Sequence, residues 1–171
     1  MAFLVLLVLL GGCGGEQQAE TPPDPTGAGA ALEKSAIARG VVPDPSAIEL
    51  EGRFERRSDL GTDKFCAVRT GDKSYRIGIL AVYGPGSVCE KQGEASPNGD
   101  GFELRFDGAK DCEVRASYDG VELRVDGNVP EACSAICDSR ASLAGTSYYL
   151  VEPGAEAAKR TLGAEVDRLC G

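Results

Sequence analysis

Ile48-Glu49-Leu50-Glu51-Gly52-Arg53-Phe54-Glu55 sets Ile48, Leu50, Gly52 and Phe54 against Glu49, Glu51, Arg53 and Glu55. Successive side chains of an extended chain point to opposite faces. A period of two with the apolar residues all on one side therefore describes a strand half in a core and half in water. The pattern recurs downstream. Lys64 to Thr70 and Lys73 to Tyr83 form a predicted hairpin about Thr70-Gly71-Asp72, with Tyr75, Ile77, Ile79, Ala81 and Tyr83 on one face of its second arm. Ser87 to Ala95, Phe102 to Phe106, Cys112 to Tyr118, Val121 to Val125 and Thr146 to Val151 supply further short strands. Gly84-Pro85-Gly86, Pro97-Asn98-Gly99-Asp100-Gly101 and the pairs Asp107-Gly108, Asp119-Gly120 and Asp126-Gly127 punctuate them, because Gly and Asn tolerate the positive φ of tight turns. The predicted fold is mainly β, a small antiparallel meander closing into a barrel or sandwich.

Short helices are expected at three places. Ala30 to Arg39 carries Leu32, Ala36 and Ile37 on one stripe, with Gly40 as its stop. Pro130 to Asp138 opens on a proline suited to a first helical position and places Cys133 and Cys137 on one helical face, so each should reach a different element. After Pro153-Gly154, a C-terminal helix is predicted from Ala155 to Leu169, with Leu162, Val166 and Leu169 as its apolar stripe. Gly14 to Gly29 has almost nothing apolar to bury and is expected to be a flexible tether.

Ahead of that tether, eight apolar residues from Phe3 to Leu10 run into Gly11-Gly12-Cys13. The run is too short for a transmembrane helix, which needs about 20 residues, and fits the apolar core and cleavage site of a secretory signal. Leu10-Gly11-Gly12-Cys13 resembles the lipobox of bacterial lipoprotein precursors, although Met1-Ala2-Phe3 carries no Lys or Arg where that family has a basic region. The resemblance implies a signal peptide over residues 1–12, lipid attachment at Cys13, a lipid-anchored tether over 13–29 and a single disulfide-stapled β-rich domain over 30–171. Several acyl chains, at about 0.8 kcal/mol per buried methylene, hold a protein stably at a membrane where one does not. Gly14, in the position after the lipid-bearing cysteine, implies the outer membrane by the sorting rule of enteric lipoproteins. The expected location is the cell envelope, facing the periplasm.

The cysteine count agrees with export. Of seven, Cys13 is assigned to lipid, leaving Cys66, Cys89, Cys112, Cys133, Cys137 and Cys170. An even remainder in an oxidising compartment predicts three disulfides, for which six cysteines allow fifteen connectivities. Cys89 is expected to pair with Cys112 at one end of a three-strand meander. Cys170 would then take Cys137 or Cys133, and the other would bridge to Cys66. A metal site is not expected, since there is no histidine and no CxxC pair.

The formal charge of −9 disfavours nucleic acid, whose phosphates attract clustered Lys and Arg. Arg53, Arg56 and Arg57 are interleaved with Glu51 and Glu55, as on a solvated strand face. Without histidine, neither a Ser-His-Asp nor a Cys-His nucleophile can be assembled. Carboxylate pairs such as Glu49/Glu51 and Glu103/Asp107 are read as wet strand faces, and no run matches a calcium loop. No cofactor and no catalytic residue is expected.

Gly40-Val41-Val42-Pro43-Asp44-Pro45, Tyr75-Arg76-Ile77-Gly78 and the stretch from Cys133 to Gly145 are similar to those of uncharacterised cysteine-rich envelope lipoproteins of alphaproteobacterial type, a resemblance that implies no activity. The expected function is non-enzymatic: a membrane-anchored lipoprotein binding another envelope component, protein or glycan. One alternative is a periplasmic inhibitor similar to the membrane-bound lysozyme inhibitors. Its acidic surface would suit a basic target, and Gly145-Thr146-Ser147-Tyr148 stands nearest to that family's inhibitory loop. Tyr83 with Tyr148-Tyr149 is a candidate aromatic contact patch. The remaining alternative is a thiol oxidoreductase using Cys133 and Cys137, or a carboxylate-dependent hydrolase.

Overall fold

The computed structural model describes residues 27–41, 48–138 and 140–171, which divide between an N-terminal unit ending at Val42 and a second unit from Pro43 onward. Cys13, the expected signal segment and most of the expected tether lie outside the described residues.

The N-terminal unit contains helix α1 (Ala28–Ala38). Gly40 adopts a left-handed φ of 68° and donates to Ile37, while the Val41 N–H reaches the Ala36 carbonyl, satisfying carbonyls that the helix end leaves open. The stop is where the glycine placed it. Leu32, however, is exposed.

The second unit is an eight-stranded antiparallel barrel closed in chain order: β1 (Gly52–Ser58), β2 (Gly61–Arg69), β3 (Tyr75–Val82), β4 (Val88–Asn98), β5 (Gly101–Phe106), β6 (Glu113–Tyr118), β7 (Glu122–Val125) and β8 (Ser147–Pro153). β1 pairs with β2 through Phe54↔Phe65 and with β8 through Phe54↔Leu150, and this second pairing removes both sheet edges. The register of β1 against β8 shifts between Arg53 and Phe54. Ile48 to Glu51 precede the strand rather than belonging to it, but Leu50 is fully buried, so the alternation did place it inward.

Eight strands leave an interior that side chains can fill. Here Phe54 meets Phe65 and Tyr118 edge-on, each at 5.4 Å between ring centroids, and Phe65 meets Tyr148 at 5.9 Å. Ile77, Ile79, Leu104, Val114 and Leu123 complete the packing with exposures of at most 1%.

The outer wall is divided. Over β5, β6 and β7 it is charged, with Arg105 bridging Glu103 and Glu113, and Arg124 pairing with Glu122. Over β2, β3 and β4 it is apolar, and the C-terminal segment covers it: Leu80, Cys66, Ala158, Leu169 and Cys170 form a second core outside the barrel, flanked by Val68, Val82 and Val88. The cover lies so close that a Cβ on Gly78 would overlap the Leu169 carbonyl.

That cover corrects the expected helix from Ala155 to Leu169. Helix α2 is Ala155–Lys159 only. The chain beyond it is irregular because its backbone is claimed by the barrel wall. Glu90 of β4 accepts the N–H groups of Ala164, Glu165 and Val166, Gln92 Nε2 donates to the carbonyls of Arg168 and Leu169, and Cys170 is bonded to Cys66. The stripe does not hold either, since Leu169 is buried while Leu162 and Val166 are exposed.

The segment expected as a helix over 130–138 is a 3-10 helix at Glu131–Ile136, with Pro130 as its extended cap rather than its first turn. It lies in the long β7–β8 connection, and its Ile136, with Leu143 further on, joins the barrel core. Three disulfides are present, but none in the expected pairing: Cys66–Cys170, Cys89–Cys137 and Cys112–Cys133. The expected Cys89–Cys112 bridge fails because the long connection folds back between those strands and offers each cysteine a nearer partner, at Cα separations of 4.4 Å and 4.8 Å. Cys133 and Cys137 do reach different elements.

Candidate functional site

The two ends of the barrel differ. At one end the long β7–β8 connection caps the interior with Ile136 and Leu143, held by the bridges to Cys89 and Cys112. At the other end, the chain entering at Ile48, the β2–β3 turn, the two-residue β4–β5 turn at Gly99-Asp100 and the end of β6 at Tyr118 border a cavity of about 340 Å³ that is open among the described residues.

Tyr75, Phe102 and Tyr118 form the apolar floor of this mouth, and Ile48 and Pro97 add to its walls. Tyr75 and Phe102 meet edge-on at 5.9 Å. The guanidinium of Arg69 stands 5.6 Å over the Tyr75 ring and pairs with Glu49, whose Oε2 also accepts the Tyr75 hydroxyl at 3.1 Å. Glu51 accepts the Arg69 N–H at 2.8 Å, tying the entering chain to the end of β2. The Tyr118 hydroxyl donates to the Gly120 carbonyl, and burial pushes its pKa up to about 12, so at neutral pH it is a fixed neutral donor. Next to it, the Asp119 carboxylate accepts the N–H groups of Glu122 and Val121, at 2.7 and 2.8 Å, which hold it below the usual carboxylate range and brace the turn.

Charges of both signs stand on the rim: Glu49, Asp100 and Lys73. Lys73 has a φ of 59°, a left-handed conformation that costs a non-glycine residue about 1–2 kcal/mol. Such strain recurs at functional sites. Asp100 and Lys73 make no ion pair or side-chain hydrogen bond among the described residues, whereas Glu49 is committed to Arg69 and Tyr75.

At the opposite end, Asp63 accepts the Val82 N–H at 2.7 Å while burial raises its pKa. Arg56 donates to Ser147 Oγ, Tyr83 donates to the Ser142 carbonyl, and the Tyr148 hydroxyl is enclosed with no partner among the described residues. Beside this group the β7–β8 connection encloses a smaller cavity of about 220 Å³, lined by Ser142 and Leu143 among others.

All six domain cysteines are in bridges. Cys133 is bonded to Cys112, just ahead of β6, and Cys137 to Cys89 of β4, rather than to each other, so they do not form a dithiol pair. The carboxylate pairs are likewise divided among cations and amides: Glu103 goes to Arg105 and Asn98, Asp107 to Arg76, Glu49 and Glu51 to Arg69. Arg53 and Arg57 both pair with Glu55, as expected of a solvated face. Among the described residues no three His, Cys, Asp or Glu side chains converge as a metal site, and no helix is long and apolar enough to cross a membrane.

Thr146, Ser147 and Tyr148, in the segment nearest to an inhibitory loop, are all buried, and Tyr148 lies in the barrel core. The candidate aromatic patch is therefore reduced to Tyr83 and Tyr149, which are partly exposed. The mouth was missed from sequence. Its floor consists of residues read only as core; Asp100 sits in a turn read only for its glycines, and Lys73, expected to open a strand, lies in the turn before β3 (Tyr75–Val82). Comparison with family models, with curated proteins and with solved structures finds no match for the chain.

Proposed function

We propose that this protein is a lipid-anchored envelope lipoprotein without catalytic activity of its own, acting by binding another envelope component at the open mouth of its barrel. The observation that carries this reading is the asymmetry of the two ends: one is capped by a disulfide-held segment, and the other, among the described residues, is an open cavity with charged side chains on its rim. Rigid barrels bind at their mouths because strands position the side chains there while turns vary freely. The bridges suit an oxidising compartment, and the Leu10-Gly11-Gly12-Cys13 sequence supplies the anchor.

In-cell crosslinking from a photoreactive residue at position 98, beside the mouth, followed by mass spectrometry, tests the binding role. A discrete envelope partner that is lost on Phe102→Ala but retained on substitution at the capped end is the expected outcome. Crosslinks spread evenly over abundant envelope proteins would overturn it. The anchor has its own check: Cys13→Ser should release the protein from the membrane fraction or leave it unprocessed, and a processed, firmly membrane-bound variant would contradict lipid attachment.

A further inference from the structure

We infer that the barrel mouth binds a zwitterionic small molecule, a free amino acid or dipeptide with an apolar side chain, its ammonium taken by Asp100 and its carboxylate by Lys73. This names the ligand class for the binding role proposed above and rests on that reading.

Size sets the first bound. A cavity of about 340 Å³ is at the small end of ligand sites, and at ~30 Å³ per water it has room for roughly ten water-sized groups. One amino acid or a small dipeptide fills it.

Chemistry sets the second. A sugar would need a flat aromatic face to lie on, and this mouth presents little. Tyr75 and Tyr118 are 2% and 7% exposed, and the Arg69 guanidinium stands over the Tyr75 ring. What remains accessible is an apolar floor, with Phe102 its more exposed ring, beneath an anion and a cation on separate turns. Glu49 is already neutralised by Arg69, so among the described residues the rim offers one uncommitted carboxylate and one uncommitted ammonium. A net anion or a net cation would satisfy one and be repelled by the other. A molecule carrying both charges satisfies both and neutralises the site.

Geometry favours a formed site over a chance one. Asp100 stands in a two-residue turn held by the Asn98↔Gly101 pair, and Gly101 packs so tightly on the Ala116 carbonyl that no side chain fits there. Lys73 is held in its left-handed conformation by a turn closed through the Thr70 N–H to Ser74 carbonyl bond at 2.9 Å. The backbone of both residues is thus held at the rim, from which their exposed side chains reach the cavity.

Calorimetric titration of the full chain in detergent with alanyl-leucine, its N-acetylated form, its C-amidated form and di-N-acetylglucosamine tests the inference. The free dipeptide should bind, and blocking either terminus should weaken binding at least tenfold. Lys73→Met should weaken the free dipeptide by a similar factor while leaving the amidated form unchanged, and Asp100→Asn should do the same with the acetylated form. Equal affinity for free and blocked dipeptides, preference for the disaccharide, or no dipeptide binding at millimolar concentration would each overturn it. If crosslinking at position 98 still captures one partner in that case, the binding role survives and only the ligand class is wrong.

Discussion

At the scale of single residues, the group that decides most is Glu90. A carboxylate facing outward from a strand would ordinarily sit in water, yet this one is 8% exposed because three consecutive N–H groups of the C-terminal segment converge on it. Those amides have no helix or ladder to serve them, so the carboxylate substitutes for secondary structure. Hydrogen bonds to a charged acceptor are worth roughly twice neutral ones, and each buried N–H left without a partner costs about 1–3 kcal/mol. Glu90→Ala should therefore lower stability by about 3 kcal/mol, and Glu90→Gln, which keeps one carbonyl acceptor, by about half as much. Urea unfolding of the two variants checks the size of the effect. Amide hydrogen exchange checks its place: protection should fall at residues 164–169 before it falls in β5 or β6.

At the scale of elements, the disulfides hold segments that lack enough apolar surface to stay docked alone. The C-terminal segment contributes Ala158, Leu169 and Cys170 to the outer core while leaving Leu162 and Val166 exposed. Of its described apolar side chains, the β7–β8 connection buries only Cys133, Ile136 and Leu143, with Val129, Cys137 and Ala141 half-buried against them. In the chain-entropy picture the loss on removing a bridge grows slowly with the loop it closes. Sequence separations of 104, 48 and 21 for Cys66–Cys170, Cys89–Cys137 and Cys112–Cys133 correspond to about 4.7, 4.1 and 3.3 kcal/mol. The Cys66→Ala/Cys170→Ala double variant is expected to be the least stable of the three bridge deletions in urea. It should also gain a proteolytic site between Arg160 and Arg168 while the barrel stays folded. Equal urea midpoints for all three deletions would show that strain or residual structure outweighs loop entropy here.

At the scale of the whole molecule, the packed interior makes stability fall at high pH. Burial raises the pKa of Tyr118 to about 12 and that of fully enclosed Tyr148 further still, and it raises Tyr83 as well. A group whose folded pKa lies above its unfolded value stabilises fully below the unfolded value, near 10 for tyrosine. That contribution is lost as pH climbs through the folded one, because the unfolded chain gives up its proton first. Urea midpoints should be insensitive to these groups up to about pH 9.5 and fall steadily between 10 and 12. Tyr148→Phe should flatten that fall, and it removes a hydroxyl that has no partner among the described residues, so little stability should be lost at pH 7. Of the chain's five tyrosines, spectrophotometric titration should find at least two that ionise only as the protein unfolds. All five titrating near pH 10 in the folded protein would contradict the enclosed barrel interior.

Periods and turns were legible in the sequence because they are local. Tyr75, Ile77, Ile79 and Ala81 alternate inward for the geometric reason that a strand repeats every two residues, and Gly40 ends its helix because only a left-handed residue can turn the chain there. The six domain cysteines likewise announced their bridges by number. Which cysteine meets which was decided only when β1 closed on β8 and the long connection folded back to β4, bringing together residues as far apart as Cys66 and Cys170. The same closure gave β2, β3 and β4 an apolar outer face, and Glu90 and Gln92 on that face drew the C-terminal backbone out of the helix its own sequence favours. The binding mouth also belongs to tertiary structure. Lys73 and Asp100 lie in separate turns, and their common cavity exists only because the strands between them curve into a closed barrel. Local rules set the strands and the turns. Closure, which is long-range, set the partners.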